Sequence, residues 1–403
     1  MIHRTLNLLK ILDKKSSTFL FGARGTGKSS IALAFLDHQI TQGMIPFQIN
    51  LLESETYEKY LKQPELFRKE LIQLAKHGQP ICVFVDEIQR TPQLLNEVHT
   101  LLETYPRQIQ FLLTGSSARK LKQTSANMLA GRAFSLRLYP FTQEEWSQNL
   151  DDHLLFGSLP SIAYKHREDI NALKFALRSY VSTYLKEEIQ QEALVRRLDA
   201  FARFLEVAGQ FHTKQVNASQ VAKAAGVSGH TIAEYTQILE DTLIAVKVPG
   251  WNASTKKQLR TTPKIYFFDN GVVNTLRGEL NSPVRESSSR YGELFEGTIV
   301  QELYRINDYF QLDLKFSYWR TNNDTEVDIV VSKGAGQPIA AIEIKSAKNP
   351  IQKDLRGLIA FKSEYPKVPQ YCICRADRGY QTDEGVDILP YQEIQTLLRQ
   401  SLL

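Results

Sequence analysis

Residues Thr18 to Ser30 read TFLFGARGTGKSS, a short apolar run that breaks into glycines and is followed by IALAFLDHQI. Gly22, Gly27, Lys28 and Ser29 fill every fixed position of G-x-x-x-x-G-K-[ST]. That spacing permits one local structure, a strand turning sharply into a helix so that backbone N–H groups of the loop and first helical turn wrap phosphate oxygens. Ala23, Arg24, Gly25 and Thr26 supply the loop amides between the fixed positions, and Ser30 follows in the first turn. Lys28 is placed to reach β and γ phosphates, and Ser29 to bind Mg²⁺. The segment therefore predicts a nucleotide-binding α/β domain with ATP and Mg²⁺ as ligands.

Further apolar runs extend that unit into a sheet. ICVFVDE ends in Asp86 and Glu87. A carboxylate at the tip of such a strand suits the magnesium shell, and the acid after it can polarise an attacking water or simply cap the next helix. QIQFLLTGSS ends in Thr114, Gly115, Ser116 and Ser117, whose hydroxyls suit either sensing of the γ-phosphate or turn formation. With TFLFG, PFQINL, VFVDE, FLLTG and FSLRLYP as strands between helical stretches, the pattern predicts a parallel sheet with helices on both faces and a site at its carboxyl edge. Arg119 and Arg132 follow the fourth strand, and either can neutralise transition-state charge, within its own chain or in a neighbouring copy.

The chain has 403 residues, enough for two or three domains. Its 42% hydrophobic and 23% charged residues fit a globular protein. No apolar run is long enough to span a membrane and MIHRTLNLLKILDKK lacks a signal peptide's apolar core, so a cytoplasmic location is expected. Three cysteines in apolar or alternating contexts read as buried thiols, and a net charge of +5 permits nucleic-acid binding without demanding it.

A second constellation lies near the other end. TEVDIVV and AIEIKS read as strands joined through KGAGQP. Alternation puts Glu326 and Asp328 on one face of the first strand, and Glu343 and Lys345 on one face of the second. A turn centred between Ala335 and Gly336 sets Asp328 opposite Glu343, with Cβ atoms about 5 Å apart. Two carboxylates so placed can share a divalent ion while Lys345 holds or deprotonates a water, the D…E-x-K arrangement of metal-dependent nucleases. An exposed strand with an internal Glu-x-Lys pair is the alternative.

GARGTGKSS, VFVDEIQRTP, FLLTGSSARKLK, LAGRAFSLRLYPFT, LLFGSLP, YVSTYLKEEI, IYFFDNGVV and GELFEGTIVQEL together resemble a prokaryotic family of AAA-type ATPases. Its members carry a C-terminal domain of the restriction-endonuclease-like superfamily, and the resemblance covers nearly the whole chain. It implies that a glutamate from the helix before the hairpin completes the metal site. Glu296 in GELFEGTIV matches that position best, with Glu293 second. Where the family would carry an Arg-Asp or similar pair after YL, this chain has Lys186, Glu187 and Glu188.

The resemblance further implies a helical lid and a winged-helix unit in the middle of the chain. NASQVAKAAGVSGHTIAEYTQILEDTLIAVKVPG fits the latter, with a turn at Gly226 and a second helix from about Ser228. Ser228 to Thr242 holds Glu234, Glu240 and Asp241 and no lysine or arginine, which favours a structural module over a DNA-reading one. His212 and His230 lack companions at metal spacing and read as ordinary histidines. KIYFFDNGVV reads as a strand and a tight bend at Asp269 to Gly271, and NSPVRESSSR as a linker.

These readings divide the chain into an ATPase domain over 1–145, a lid over 146–210, a winged-helix unit and connector over 211–285, and a restriction-endonuclease-like domain over 286–403. The expected function is ATP binding and hydrolysis that gates metal-dependent cleavage of DNA or RNA. The alternative is an ATP-dependent scaffold whose inert nuclease-like domain binds nucleic acid or a protein partner. An arginine acting between copies would require a homo-oligomer.

Overall fold

The computed structural model describes residues 2–12, 16–116, 121, 129, 131–184, 198–252, 261–321, 323–334 and 336–401. Ser117, Arg119, Lys186, Glu187, Glu188 and Ala335 lie outside the described residues. Two compact units form: one runs through Pro140 and includes Asp241–Leu243, and the other is built from residues beyond Pro140.

The first unit is a five-stranded parallel sheet of β1 (Ser17–Phe21), β2 (Ile45–Asn50), β3 (Ile81–Asp86), β4 (Ile109–Gly115) and β5 (Ala133–Arg137), in the order β2-β3-β4-β1-β5. The three inner strands are buried along their whole length, whereas β2 and β5 are partly exposed, as edge strands are. Odd-numbered strand residues such as Val83, Val85, Phe111 and Leu113 pack with Phe67 and Leu71 of the helix Glu65–Ala75 and Val98 and Leu101 of the helix Leu94–Thr104. Helix Lys28–Thr41 packs against β2, β3 and β4 through its own buried Ala32, Phe35 and Leu36. None of these three belongs to the odd-face cluster, so successive strand side chains serve opposite layers and both faces are covered.

Strand order decides where the chemistry falls. Because β4 is paired on one side with β1 and on the other with β3, the tips of all three lie side by side, with Phe21 opposite Gly115 and Val85 opposite Leu113. The phosphate loop after β1, Thr114 on β4 and Asp86 on β3 are thereby neighbours although 57 residues separate Ser29 from Asp86.

The second unit holds two sheets. A small antiparallel one, β6-β8-β7, is made of β6 (Lys214–Gln215), β7 (Ala245–Val248) and β8 (Lys264–Phe267). The larger contains β9 (Leu314–Arg320), β10 (Glu326–Lys333), β11 (Gln337–Ile344), β12 (Gln370–Cys374), β13 (Tyr380–Gln381) and β14 (Asp387–Pro390), in the order β13-β14-β12-β11-β10-β9. It is mixed: β9, β10 and β11 are antiparallel, and β11, β12 and β14 are parallel. Helices Ala218–Ala225 and Gly229–Asp241 flank Gly226, whose φ of 68° makes the left-handed turn between them.

Where the sequence reading separates lid, winged-helix and C-terminal modules, the structure packs them as one unit around the 22-residue helix Ser289–Phe310. Arg305 of this helix is 2% exposed. Its Nη1 donates to the Phe141 carbonyl at 2.7 Å and its Nη2 to the Phe268 carbonyl at 2.9 Å, tying three distant segments together. Glu302 of the same helix is buried as well, accepting from the Gln143 amide at 3.1 Å and lying 3.8 Å from Arg305. The helix is enclosed by other segments, so its polar stripe faces protein. Asp269 is not a simple bend either. Its carboxylate accepts from the Val272 and Ser158 amides at 3.2 and 2.7 Å and starts the helix Asn270–Leu276.

Replacing Arg305 by Met should leave the two carbonyls without their donor and Glu302 without its charge partner. A loss of about 3–5 kcal/mol is expected for unfolding of the second unit, measured by urea denaturation. A loss below about 1 kcal/mol, within the range of an ordinary surface substitution, would show that Arg305 is not a structural tie.

Candidate functional site

The first candidate is the carboxyl edge of the parallel sheet. Gly22 sits where an added Cβ would lie 2.4 Å from the Leu138 carbonyl, and Gly27 adopts φ 95° at the start of helix Lys28–Thr41. Both need glycine, one for close approach and one for conformation. Ala23 and Thr26 are buried, the Thr26 hydroxyl donating to the Ala23 carbonyl at 2.9 Å, whereas Arg24 and Ser30 are exposed and Gly25 turns with φ 88°. Lys28 Nζ donates to the Gly22 carbonyl at 2.7 Å.

Ser29 Oγ donates to Asp86 Oδ2 at 2.8 Å, and Thr114 Oγ1 donates to Asp86 Oδ1. A carboxylate whose side-chain partners are two hydroxyls keeps its negative charge uncompensated, and hydroxyl plus carboxylate is the oxygen donor set that suits Mg²⁺. Thr114 is fully buried and also receives the Glu87 amide at 3.3 Å, so it braces the strand tip that carries both acids.

Glu87 has φ 61°, a left-handed conformation costly for a residue with a long side chain. Gln89, which the sequence reading does not single out, holds it. Its Nε2 donates to Glu87 Oε2 and, at 3.0 Å, to Ser116 Oγ. Its place two residues after Glu87 in DEIQRTP, within the tight turn Ile88–Arg90, is the signal that could have drawn notice. Arg4 was also missed: it donates to the Thr26 carbonyl at 3.0 Å and the Tyr139 carbonyl at 2.6 Å, and nothing in its local sequence announces this. Arg132 is engaged elsewhere, by Glu103 at 2.8 Å and His99 at 3.0 Å on helix Leu94–Thr104.

The second candidate is the β10–β11 hairpin. Ile329, Val330 and Val331 pair with Ile342, Ala341 and Ala340, so the next position sets Asp328 against Glu343, the register read from the sequence. Nearer the turn Ser332 pairs with Pro338, leaving Ile339 as an extra residue that absorbs a one-residue slip. A second irregularity, between Val327 and Val330 against β9, falls at Asp328 itself. Asp328 Oδ2 accepts from the Ile344 amide at 2.8 Å, and Lys345 Nζ lies 2.5 Å from Glu343 Oε1.

Lys264 enters this cluster from β8. Its Nζ pairs with Glu326 and lies 3.3 Å from Glu296 Oε1 and 3.8 Å from Asp328 Oδ1. Tyr266, on the same face of β8, donates to Glu296 Oε1 at 2.6 Å. Glu296 and Asp328 thus face the same ammonium, while Glu293 pairs with Lys214 at 2.7 Å and Arg277 at 3.1 Å. Among the described residues no three histidine, cysteine or carboxylate side chains converge as a metal-binding group. Lys264 and Tyr266 were not anticipated, although a lysine opening the apolar run KIYFF signals a buried ammonium in need of acids. His212 is a fully buried core histidine held low, to about 3, by burial and the nearby Arg277 and Lys214.

Three family models match successive segments of the chain. Residues 14–147 match the AAA domain family, residues 147–282 a Domain of unknown function (DUF8612) and residues 291–394 a Domain of unknown function (DUF4143). An uncharacterized protein of Mycobacterium tuberculosis is 27% identical over 292 residues, covering 71% of this chain and 64% of that protein. This chain therefore matches less than two thirds of the mycobacterial relative's length. An uncharacterized protein of Haemophilus influenzae is 23% identical over 395 residues, covering 91% of this chain and 92% of its own. Among solved structures, AMPPCP-bound DnaA from Aquifex aeolicus aligns with a TM-score of 0.29 and 13% identity over 58% of this chain and 84% of that chain, too weak a likeness to carry an argument. The AAA match, the parallel sheet and the phosphate loop together identify the first unit as an AAA-type P-loop domain. No helix among the described residues is long and apolar enough to cross a membrane.

Burial, opposed by Lys264 and reinforced by Asp328, pushes the Glu296 carboxyl up to about 7. A carboxyl raised on folding contributes stability that is full below its unfolded value near 4.5 and lost as pH rises through about 7. Thermal midpoints of the wild type minus those of Glu296→Gln should therefore fall steadily from pH 4.5 to pH 8, by the equivalent of a few kcal/mol at about 1.4 kcal/mol per unit. A difference that does not change with pH would refute the shift.

Proposed function

We propose that this chain binds ATP with Mg²⁺ and hydrolyses it at the carboxyl edge of the parallel sheet. The observation that carries this reading is the Ser29–Asp86 hydrogen bond of 2.8 Å beside a buried Lys28, with Glu87 next in line. Loop amides from Gly22 to Ser30 and the Lys28 ammonium bind the phosphates. Ser29 and Asp86 would hold the Mg²⁺, which when bound supplies charge neutralisation on the phosphate oxygens. Glu87 takes the proton of the attacking water, and Gln89 fixes the carboxylate that receives it. Arg132 is held by the exposed Glu103, a place from which it can serve a neighbouring copy in a homo-oligomer; Arg119 is the other candidate for this role.

The reading extends to the second unit as a nucleotide-dependent switch acting in the cytoplasm. One version has Asp328, Glu343 and Lys345, with Glu296, cut DNA or RNA with a divalent ion. The other has the restriction-endonuclease-like fold act without cleavage, binding nucleic acid or a protein partner. The Lys264 ammonium among the acids favours the second, because a cation already compensates the charge that a metal would need.

Three variants test the first unit. Lys28→Ala should weaken ATP binding at least tenfold by titration calorimetry. Glu87→Gln should bind ATP as well as the wild type but lose about 10²–10³-fold in kcat. Gln89→Leu should lower kcat about tenfold with little change in KM, as expected for a positioning residue. Wild-type turnover in Lys28→Ala would end the phosphate-loop reading.

A further inference from the structure

We propose that Lys264 is the resident cation of the acidic centre in the second unit, so that the centre takes no divalent ion while Lys264 is in place. The argument starts from the oxygens. A small divalent ion needs about six oxygens in a tight shell, with carboxylates turned toward a common point. Here every acid has an oxygen turned to a nitrogen: Asp328 Oδ1 to Lys264 at 3.8 Å, Asp328 Oδ2 to the Ile344 amide at 2.8 Å, Glu296 Oε1 to Lys264 at 3.3 Å and Glu343 Oε1 to Lys345 at 2.5 Å. A divalent ion shared by Asp328 and Glu296 would stand against the Lys264 ammonium, and like charges at such range in a buried setting repel strongly.

The ammonium is built in. Lys264 is 5% exposed, follows Pro263, and its Nζ lies 5.8 Å from the centre of the Tyr318 ring. Its strand neighbours Gln215 and Val248 pair it on both sides, so the backbone that carries it is fixed. Tyr266 adds a second donor from the same strand face, and Glu326 contributes an acid that the metal reading does not use. Glu343 Oε2 is buried and has no hydrogen-bond partner among the described residues, so it is an oxygen free to join a divalent ion's shell in a variant that lacks Lys264. The consequence is that β8 of the small sheet and β10 of the large sheet are joined by an ion network, and that a nuclease-type arrangement of acids is held in a metal-free form. This inference rests on the second unit alone and survives or fails independently of ATP hydrolysis.

The test is Mn²⁺ binding followed by electron paramagnetic resonance on nucleotide-free full-length protein, comparing wild type, Asp328→Asn, Lys264→Met and the Lys264→Met/Asp328→Asn double variant. Wild type and Asp328→Asn should bind Mn²⁺ alike. Lys264→Met should gain one ion with at least tenfold lower Kd, and the double variant should lose it. Mn²⁺ binding by the wild type that disappears in Asp328→Asn overturns the proposal, as does a folded Lys264→Met that gains no ion. Should Lys264→Met not fold unaided, millimolar Mn²⁺ should restore it where matched ionic strength of Na⁺ does not; no restoration also overturns the proposal.

Discussion

Charge taken out of water is the constraint on which both units depend. An unpartnered buried ion costs several kcal/mol, against a net stability of about 5–15 kcal/mol for a typical domain. Each such group therefore dictates where other segments must lie. Arg305 fixes the segments carrying Phe141 and Phe268 against the long helix, because its guanidinium takes one carbonyl from each, at 2.7 and 2.9 Å. Lys264 does the same for β8 and β10. In the first unit Lys28, 6% exposed, takes the Gly22 carbonyl, so the loop's curvature is supported by the very side chain that is to meet phosphate.

Strand order converts that constraint into a site. With β4 between β1 and β3, one hydroxyl on its tip, Thr114, reaches Asp86 Oδ1 while Ser29, from the helix after β1, reaches Oδ2. The left-handed Glu87 costs about 1–3 kcal/mol, which the surrounding contacts must offset. Gln89 and the Thr114 hydroxyl are those contacts, and their removal should release the backbone strain and the catalytic geometry together.

Legibility followed the same physics. The parallel sheet could be read because VFVDE and FLLTG are continuous apolar runs that only burial on both faces explains, and the phosphate loop because its glycines are sterically required. The Asp328–Glu343 pairing could be read from alternation and turn position, although the extra residue Ile339 that preserves it could not, since bulges leave no periodic mark. The burial of Glu302 leaves no mark in the sequence, because a helix buried on several sides carries polar residues that look solvent-facing in a pattern. Arg4 and Lys264 were missed because their several partners lie far off in the sequence, where no local period points, and Gln89 because one of its two partners, Ser116, does so too.

The two acidic centres then differ in one respect that decides their chemistry. Asp86 is held by hydroxyls, which orient a carboxylate without neutralising it. Asp328 and Glu296 are held by an ammonium, and Glu343 by another, which orient and neutralise at once. A carboxylate of the first kind retains its attraction for a doubly charged ion, whereas Asp328 and Glu296 must first lose Lys264, which is itself buried and fixed in a strand. On the function proposed above, the sheet edge of the first unit therefore takes its cation as it stands. On the same reading, the hairpin of the second takes one only where Lys264 is withdrawn.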